Sequence, residues 1–277
     1  MTTLRDGVTI TTSYEGGLKD GPCSYTFPHS QVVQAYYAYS QGNLVKEIHY
    51  DEKGMPIYEK IQLSPSRIAL TRWYSDGTPE STEEYMGEEL MQGEYYTTSN
   101  DLEAKVEKGF GQRIKRDREG MLISKDTMEQ GYLSLKESFY DTGSPESIVH
   151  YTFGVVDGQK QLFTRTGEPL SIEQYKDGKL HGIATYFKNG IRAVEISYED
   201  GKKEGPERHY RDGESISQVI QWSFDKRHGE TVFYIDNVPH VEWYYNDELV
   251  SHEKFEELYH LDEVIANAYR EGNRQRR

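Results

Sequence analysis

Residues 175–213 read YKDGKLHGIATYFKNGIRAVEISYEDGKKEGPERHYRDG, and the unit Tyr-x-Asp-Gly-Lys-x-x-Gly occurs in them twice, at Tyr175–Gly182 and Tyr198–Gly205. A short run follows each copy and ends in a second turn signal, Phe187-Lys-Asn-Gly190 or Tyr210-Arg-Asp-Gly213. The repeat is therefore about 23 residues long and contains two strands and two turns. Asp-Gly and Asn-Gly supply the positive φ angles that tight hairpin turns require. The runs between them, about six to eight residues rich in Ile, Val, Thr, Tyr and Phe, have the length and composition of strands. Val194, Ile196 and Tyr198 fall on one face of such a strand, and Ala193, Glu195 and Ser197 on the other. Consecutive hairpins with no helical segment between them predict an antiparallel meander.

The same rhythm extends outward. An aromatic residue returns every 11 or 12 positions at Tyr140, Tyr151, Phe163, Tyr175, Phe187, Tyr198, Tyr210, Trp222, Tyr234 and Tyr245. In the third copy Trp222 replaces the tyrosine, Asp225 stands where glycine stood, Gly229 keeps the second glycine, and Asn237 closes the unit. A looser version precedes it, at Tyr14–Gly17 with Gly21, Tyr39–Gly42, Tyr50–Gly54 and Tyr74–Gly77. Pro28, Pro56, Pro65 and Pro79 fall near turns or strand ends, where proline is tolerated.

Two stretches break the pattern. Residues 86–135 are strongly charged, with a basic cluster at Arg113, Lys115, Arg116 and Arg118. They read as degenerate repeats with a longer loop carrying solvated charge, or alternatively as a hinge between two arrays. At the C-terminus the period becomes helical, with Phe255, Leu258, Leu261, Ile265, Ala268 and Tyr269 three or four apart. Asp262 and Glu263 suit the start of that helix and Arg270 its end, leaving Arg274, Arg276 and Arg277 as a frayed tail. A repeat array needs a cap over its last apolar edge, which is one role for the helix; binding a partner is the other.

Composition agrees with a repeat protein. Only 35% of the 277 residues are hydrophobic and 29% are charged, little for a compact core. Yet 13% are aromatic, including 23 tyrosines, which disordered chains lack. The net charge of −15 opposes nucleic acid and anionic lipid and favours basic partners and solubility. Cys23 is the only cysteine, so an intramolecular disulfide is excluded. The N-terminus has no apolar leader, and no run approaches the ~20 apolar residues of a membrane span. A cytoplasmic location is expected, with export by a specialised secretion system still compatible.

At Tyr175, Gly178, Gly182 and Tyr186, and again at Tyr198, Gly201, Gly205 and Tyr210, the chain resembles the MORN repeat (membrane occupation and recognition nexus). It looks most like the bacterial variant found in YwqK-type antitoxin-like proteins. The resemblance covers residues 140–245 strongly, 14–85 plausibly and 86–135 poorly. It implies a long antiparallel sheet of stacked hairpins that binds or scaffolds rather than catalyses.

The expected fold is all-β: an elongated single antiparallel sheet of about twenty strands, near 95 Å long at ~4.8 Å per strand, with a C-terminal α-helix. The array would occupy 1–251, with 86–135 degenerate or loop-rich, and the capping helix and basic tail 252–277. No nucleophile elbow, phosphate loop or His-Glu-x-x-His motif occurs, so neither a catalytic site nor a cofactor or metal is expected. His181 and His228 are equivalent repeat positions about 20 Å apart, too far to share a metal. Asp177, Asp200 and Asp212 read as turn formers. The aromatic row is expected mainly to build the sheet. Where it is exposed, Tyr175, Tyr186, Tyr198, Tyr210, Trp222, Tyr234 and Trp243, with Phe255 and Leu258 of the helix, are the candidate partner-binding residues. The leading expectation is a protein-interaction scaffold, followed by an antitoxin-type inhibitor of a basic toxin and a lipid-surface adaptor.

Overall fold

The computed structural model of the protein describes residues 1–274, with side chains through residue 268. The described residues form 24 strands and one helix, and every strand pairing is antiparallel between chain neighbours, apart from the two-residue strand Lys179–Leu180, beside which Pro169–Lys176 also pairs with Gly182–Lys188. The chain divides into two compact units, Met1–Gly154 and Val155–Arg277. Each is a meander in which one hairpin pairs with the next. No described helix is long and apolar enough to cross a membrane.

The turns follow from their residues. Asp177 and Gly178, Asn189 and Gly190, and Asp200 and Gly201 all have positive φ, the backbone that two-residue hairpins require. Phe224 and Asp225 adopt the same conformation without a glycine, at φ 50° and 67°. Asp212 differs. Only Gly213 has positive φ, and the Asp212 carboxylate instead accepts the backbone N–H groups of Glu214 and Ser215, at 3.0 and 2.7 Å. Those bonds hold its pKa down at about 2.

Residues 86–135 are not loop-rich. Strands Glu89–Tyr96, Leu102–Glu107, Phe110–Arg116, Leu122–Glu129 and Tyr132–Phe139 run through them, which is why the strand total exceeds the expected twenty. They also hold the main core cluster of the first unit: Leu90, Tyr95, Val106, Ile114 and Met128, with Tyr85, Ala104, Leu122 and Leu133 against it. The sheet bends sharply enough here for separate hairpins to bond. Leu90 N–H donates to Gly131 O and Gly131 N–H to Gly109 O, both at 2.9 Å, while Ser75 N–H donates to Arg118 O at 2.8 Å. Gly111 permits the bend. It sits at φ 137°, and a Cβ there would lie 2.2 Å from the Lys105 carbonyl oxygen.

The basic cluster is correspondingly not solvated loop charge. Arg113 donates twice to Asp126 Oδ2, at 3.0 and 2.6 Å, inside the sheet. Arg116 pairs with Glu103 at 2.8 Å, and Arg118 with Asp51 at 3.0 Å. Burial lowers the pKa of Lys115, and the adjacent Arg113 lowers it further. High charge in this segment marks cross-strand pairing rather than exposure.

The helix spans His252–Arg274, beginning where the C-terminal segment was expected to begin, and Asp262 and Glu263 lie within it rather than at its start. Ser251 is its cap: Ser251 Oγ accepts Lys254 N–H at 3.2 Å and Ser251 O accepts Phe255 N–H at 2.9 Å. Arg274 is helical rather than frayed. Arg276 and Arg277, and the side chains of Tyr269 and Arg270, lie outside the described residues.

Candidate interaction surface

One row of aromatic rings in the second unit has a single construction. Tyr175 pairs across the ladder with Gly158, Tyr198 with Gly182, Trp222 with Gly205, and Tyr244 with Gly229. Each glycine leaves bare backbone opposite a large ring. The second glycine of Tyr-x-Asp-Gly-Lys-x-x-Gly is thus not a turn residue but the strand position paired with the next ring. Gly182, Gly205 and Gly229 have φ 101°, 85° and 108°, and the register shifts beside Gly205, so the backbone conformation itself calls for glycine there. The first unit repeats the arrangement at Gly21 and Tyr39.

Carboxylates fix the rings. Glu173, Glu207 and Glu242 lie mid-strand on the same face as the row, and Glu173 and Glu207 are only 7% and 6% exposed. Two residues after each carboxylate stands a side chain that binds it. Tyr175 OH donates to Glu173 at 2.9 Å, His209 Nε2 lies 2.7 Å from Glu207, and Tyr244 OH donates to Glu242 at 2.8 Å. Cations cover the rings: Lys203 Nζ lies 4.3 Å from the Trp222 centroid, Lys160 Nζ 5.6 Å from that of Tyr175, and Arg227 4.1 Å from that of Tyr244. Lys203 also pairs with Glu207 at 2.7 Å, and Lys160 with Glu173 at 3.4 Å. Burial, then the Glu173 hydrogen bond, pushes the Tyr175 phenol up to about 12. Tyr175 is thereby held neutral in a fixed orientation, and the cations over Tyr175, Trp222 and Tyr244 are already oriented.

The nine candidate residues do not form one surface. Tyr175, Tyr198 and Trp222 belong to the row, and Tyr186 lies on the same face at the other strand end, where burial and then the Tyr198 hydroxyl raise its pKa. Tyr210 is on the opposite face: its hydroxyl donates to Glu195 at 2.6 Å beneath Arg192, whose guanidinium is 4.1 Å from the ring centroid. Tyr234 is half-buried, and its carbonyl accepts from Arg211. Trp243 lies under the helix, its ring 4.4 Å from His252 and 5.1 Å from Phe255. Phe255 is buried against Trp243 and His228, and Tyr245 OH donates to Asp262. Leu258 is half-buried.

The carboxylates and cations of the row were not among the candidates. Their signal is a glutamate two residues before an aromatic or histidine, as at Glu83/Tyr85, Glu94/Tyr96, Glu173/Tyr175, Glu207/His209 and Glu242/Tyr244. The two equivalent histidines serve different contacts. His181 Nδ1 is 3.8 Å from Asp200, whereas His228 stacks among Tyr245, Phe255 and Tyr259. Among the described residues, no three His, Cys, Asp or Glu side chains gather as a metal site would require.

The ring paired with glycine, returning once per hairpin, is a repeat-protein signature, and family comparison agrees. The chain carries three MORN repeats. They match at residues 13–28, 174–192 and 221–237. Two of the three fall in the second unit and include Tyr175, Gly182, Tyr186, Trp222 and Gly229. No curated protein matches the sequence.

Proposed function

We propose that this MORN-repeat chain is a non-catalytic scaffold that binds another protein through the aromatic face of its second unit. The observation carrying the reading is the row Tyr175, Tyr198, Trp222 and Tyr244, with three of its rings covered by a cation and a carboxylate fixing each neighbourhood. Rigid aromatic and arginine side chains are the commonest energetic anchors of interfaces, because little entropy is lost when they are covered. The acidic background favours a basic partner. A basic toxin masked by this face is a narrower form of the same reading, tested by rescue of growth when the two are co-expressed. A lipid adaptor is disfavoured by the net charge of −15 and is tested by flotation with anionic liposomes at low salt.

The main test is affinity capture with the wild-type chain and with Tyr175→Ala/Trp222→Ala, which removes two rings of the row. A partner held by the wild type and lost by the variant, with the far-ultraviolet spectrum unchanged, supports the scaffold. Turnover of a small substrate by the pure protein, or capture unaffected by the removal, would refute it.

A further inference from the structure

In the basic cluster of the first unit every arginine has a carboxylate: Arg113 has Asp126, Arg116 has Glu103 and Arg118 has Asp51. Lys115 does not. It is half-buried in the sheet and enters no ion pair among the described residues. The other carboxylates near it are engaged elsewhere. Glu83 receives Arg72, Tyr85 and Tyr95, at 3.0, 2.9 and 2.9 Å. Glu80 accepts the Arg116 N–H at 3.4 Å, and burial raises its pKa, which favours the uncharged acid. Burial lowers the pKa of Lys115, and Arg113 beside it lowers it further, so the free amine is favoured.

Cross-strand pairing places polar atoms without partners around this amine. Lys115 stands opposite Ser124 and Arg113 opposite Asp126, and on the far side of that strand Asp126 stands opposite Lys136. Direct partners share a face, with Cβ atoms about 5 Å apart, so these side chains form one patch. Ser124 and Asp126 are 0% and 1% exposed, and Ser124 Oγ and Asp126 Oδ1 have no hydrogen-bond partner. Arg113 occupies only the other oxygen, Oδ2. Lys136 is half-buried and, like Lys115, unpaired among the described residues.

Addition of an amine to a carbonyl needs a hydrogen-bond donor for the oxygen and a base for the protons on nitrogen. We infer that Lys115 is a covalent capture site for a short 2-oxo acid, with Ser124 donating to the carbonyl oxygen, Asp126 Oδ1 relaying protons and Lys136 holding the carboxylate. Lys115 Nζ attacks the carbonyl carbon as the carbon–oxygen π bond opens. Both amine protons pass through Asp126 Oδ1 to that oxygen, which leaves as water, and a carbon–nitrogen double bond remains. No oxidant or reductant is consumed, and hydrolysis reverses the step. The site belongs to the first unit and goes beyond the scaffold reading without resting on it.

The test treats the full chain with glyoxylate and cyanoborohydride, which reduces the imine to a stable secondary amine, and follows each lysine by peptide mass spectrometry. Lys115 is expected to be labelled at least about tenfold faster than the exposed Lys108 and Lys226. Unfolding in urea should remove that preference. Ser124→Ala should slow labelling of Lys115 at least about tenfold, with the far-ultraviolet spectrum unchanged. Lys136→Met should slow labelling by glyoxylate about tenfold and leave labelling by propionaldehyde, which has no carboxylate, unchanged. Equal labelling of Lys115 and Lys108, a preference that survives urea, or an unchanged rate in Ser124→Ala would overturn the inference. A Lys136→Met variant that treats both reagents alike would overturn the 2-oxo acid as its ligand. Affinity capture by Tyr175→Ala/Trp222→Ala reads the other unit, so either reading can fail while the other stands.

Discussion

Replacing Asp126 with alanine tests whether the charged segment 86–135 is held by ion pairing. Asp126 is 0% exposed and Arg113 15% exposed, and both of their hydrogen bonds converge on one carboxylate oxygen. Removing the carboxylate leaves a guanidinium inside the sheet without its main partner, a loss of about 3–5 kcal/mol for buried pairs. Glu83 lies close enough to stabilise the Arg113 charge, so the lower end, about 3 kcal/mol, is expected. Unfolding entropy near 2.1 cal/mol/K per residue, applied to Met1–Gly154 unfolding as one, gives ~0.3 kcal/mol/K and a fall of roughly 9 °C in Tm. Thermal unfolding followed by circular dichroism measures it. The double variant Arg113→Met/Asp126→Leu removes both charges and fills their space, so it should recover to within about 1 kcal/mol of wild type. A single variant within about 3 °C of wild type would refute the reasoning, as would a double variant worse than either single one.

Three further outcomes follow from the geometry. Gly111→Ala should destabilise the first unit far more than Gly143→Ala, because a Cβ at 111 meets the Lys105 carbonyl at 2.2 Å whereas none at 143 meets anything within 4 Å; urea midpoints decide it, and equal shifts would contradict the bend. Tyr58, Tyr74, Tyr85 and Tyr175 are pushed up to about 12, by burial first and, for Tyr58, Tyr85 and Tyr175, by Glu47, Glu83 and Glu173 after it. Their neutral forms are favoured by folding, so this stabilisation is whole below the ordinary phenol value of 10 and is lost as pH rises toward 12; absorbance at 295 nm should show these tyrosines ionising together with unfolding, not one by one near 10. Tyr245→Phe removes the hydroxyl bound by Asp262 and should raise hydrogen exchange in helix residues 252–262, leaving the strands unchanged.

Turn chemistry and strand period carried most of the fold in the sequence. Asp177-Gly178 and Asp200-Gly201 could do little but turn, and the alternation about Ile196 set which side was covered. The strands of 86–135 were hidden because their stabilising side chains are charged. Arg113 and Asp126 are 13 positions apart, and no local pattern shows that they share a ladder rung. The C-terminal helix begins where its segment was expected to, at 252, but Asp262 and Glu263 do not form its first turn, because Ser251 supplies the cap. The tyrosines were visible as a row, but their division between two faces depends on bulges such as that between His209 and Tyr210, which shift the side-chain alternation without altering the 11- or 12-residue count.

The glycines paired with Tyr175, Tyr198, Trp222 and Tyr244 constrain how such a chain can change length. Adding or deleting one residue inside a strand moves every later side chain to the other face of the sheet, so rings would lose their glycines and carboxylates their hydroxyls together. Adding or deleting a whole repeat of about 23 residues preserves every pairing on both sides of the join. A sheet assembled in this way can be lengthened or shortened by hairpin pairs, and each added pair extends the surface by another ring at ~9.6 Å, two strand spacings. The reach of the molecule can vary in steps of one recognition element, with the chemistry of each element unchanged.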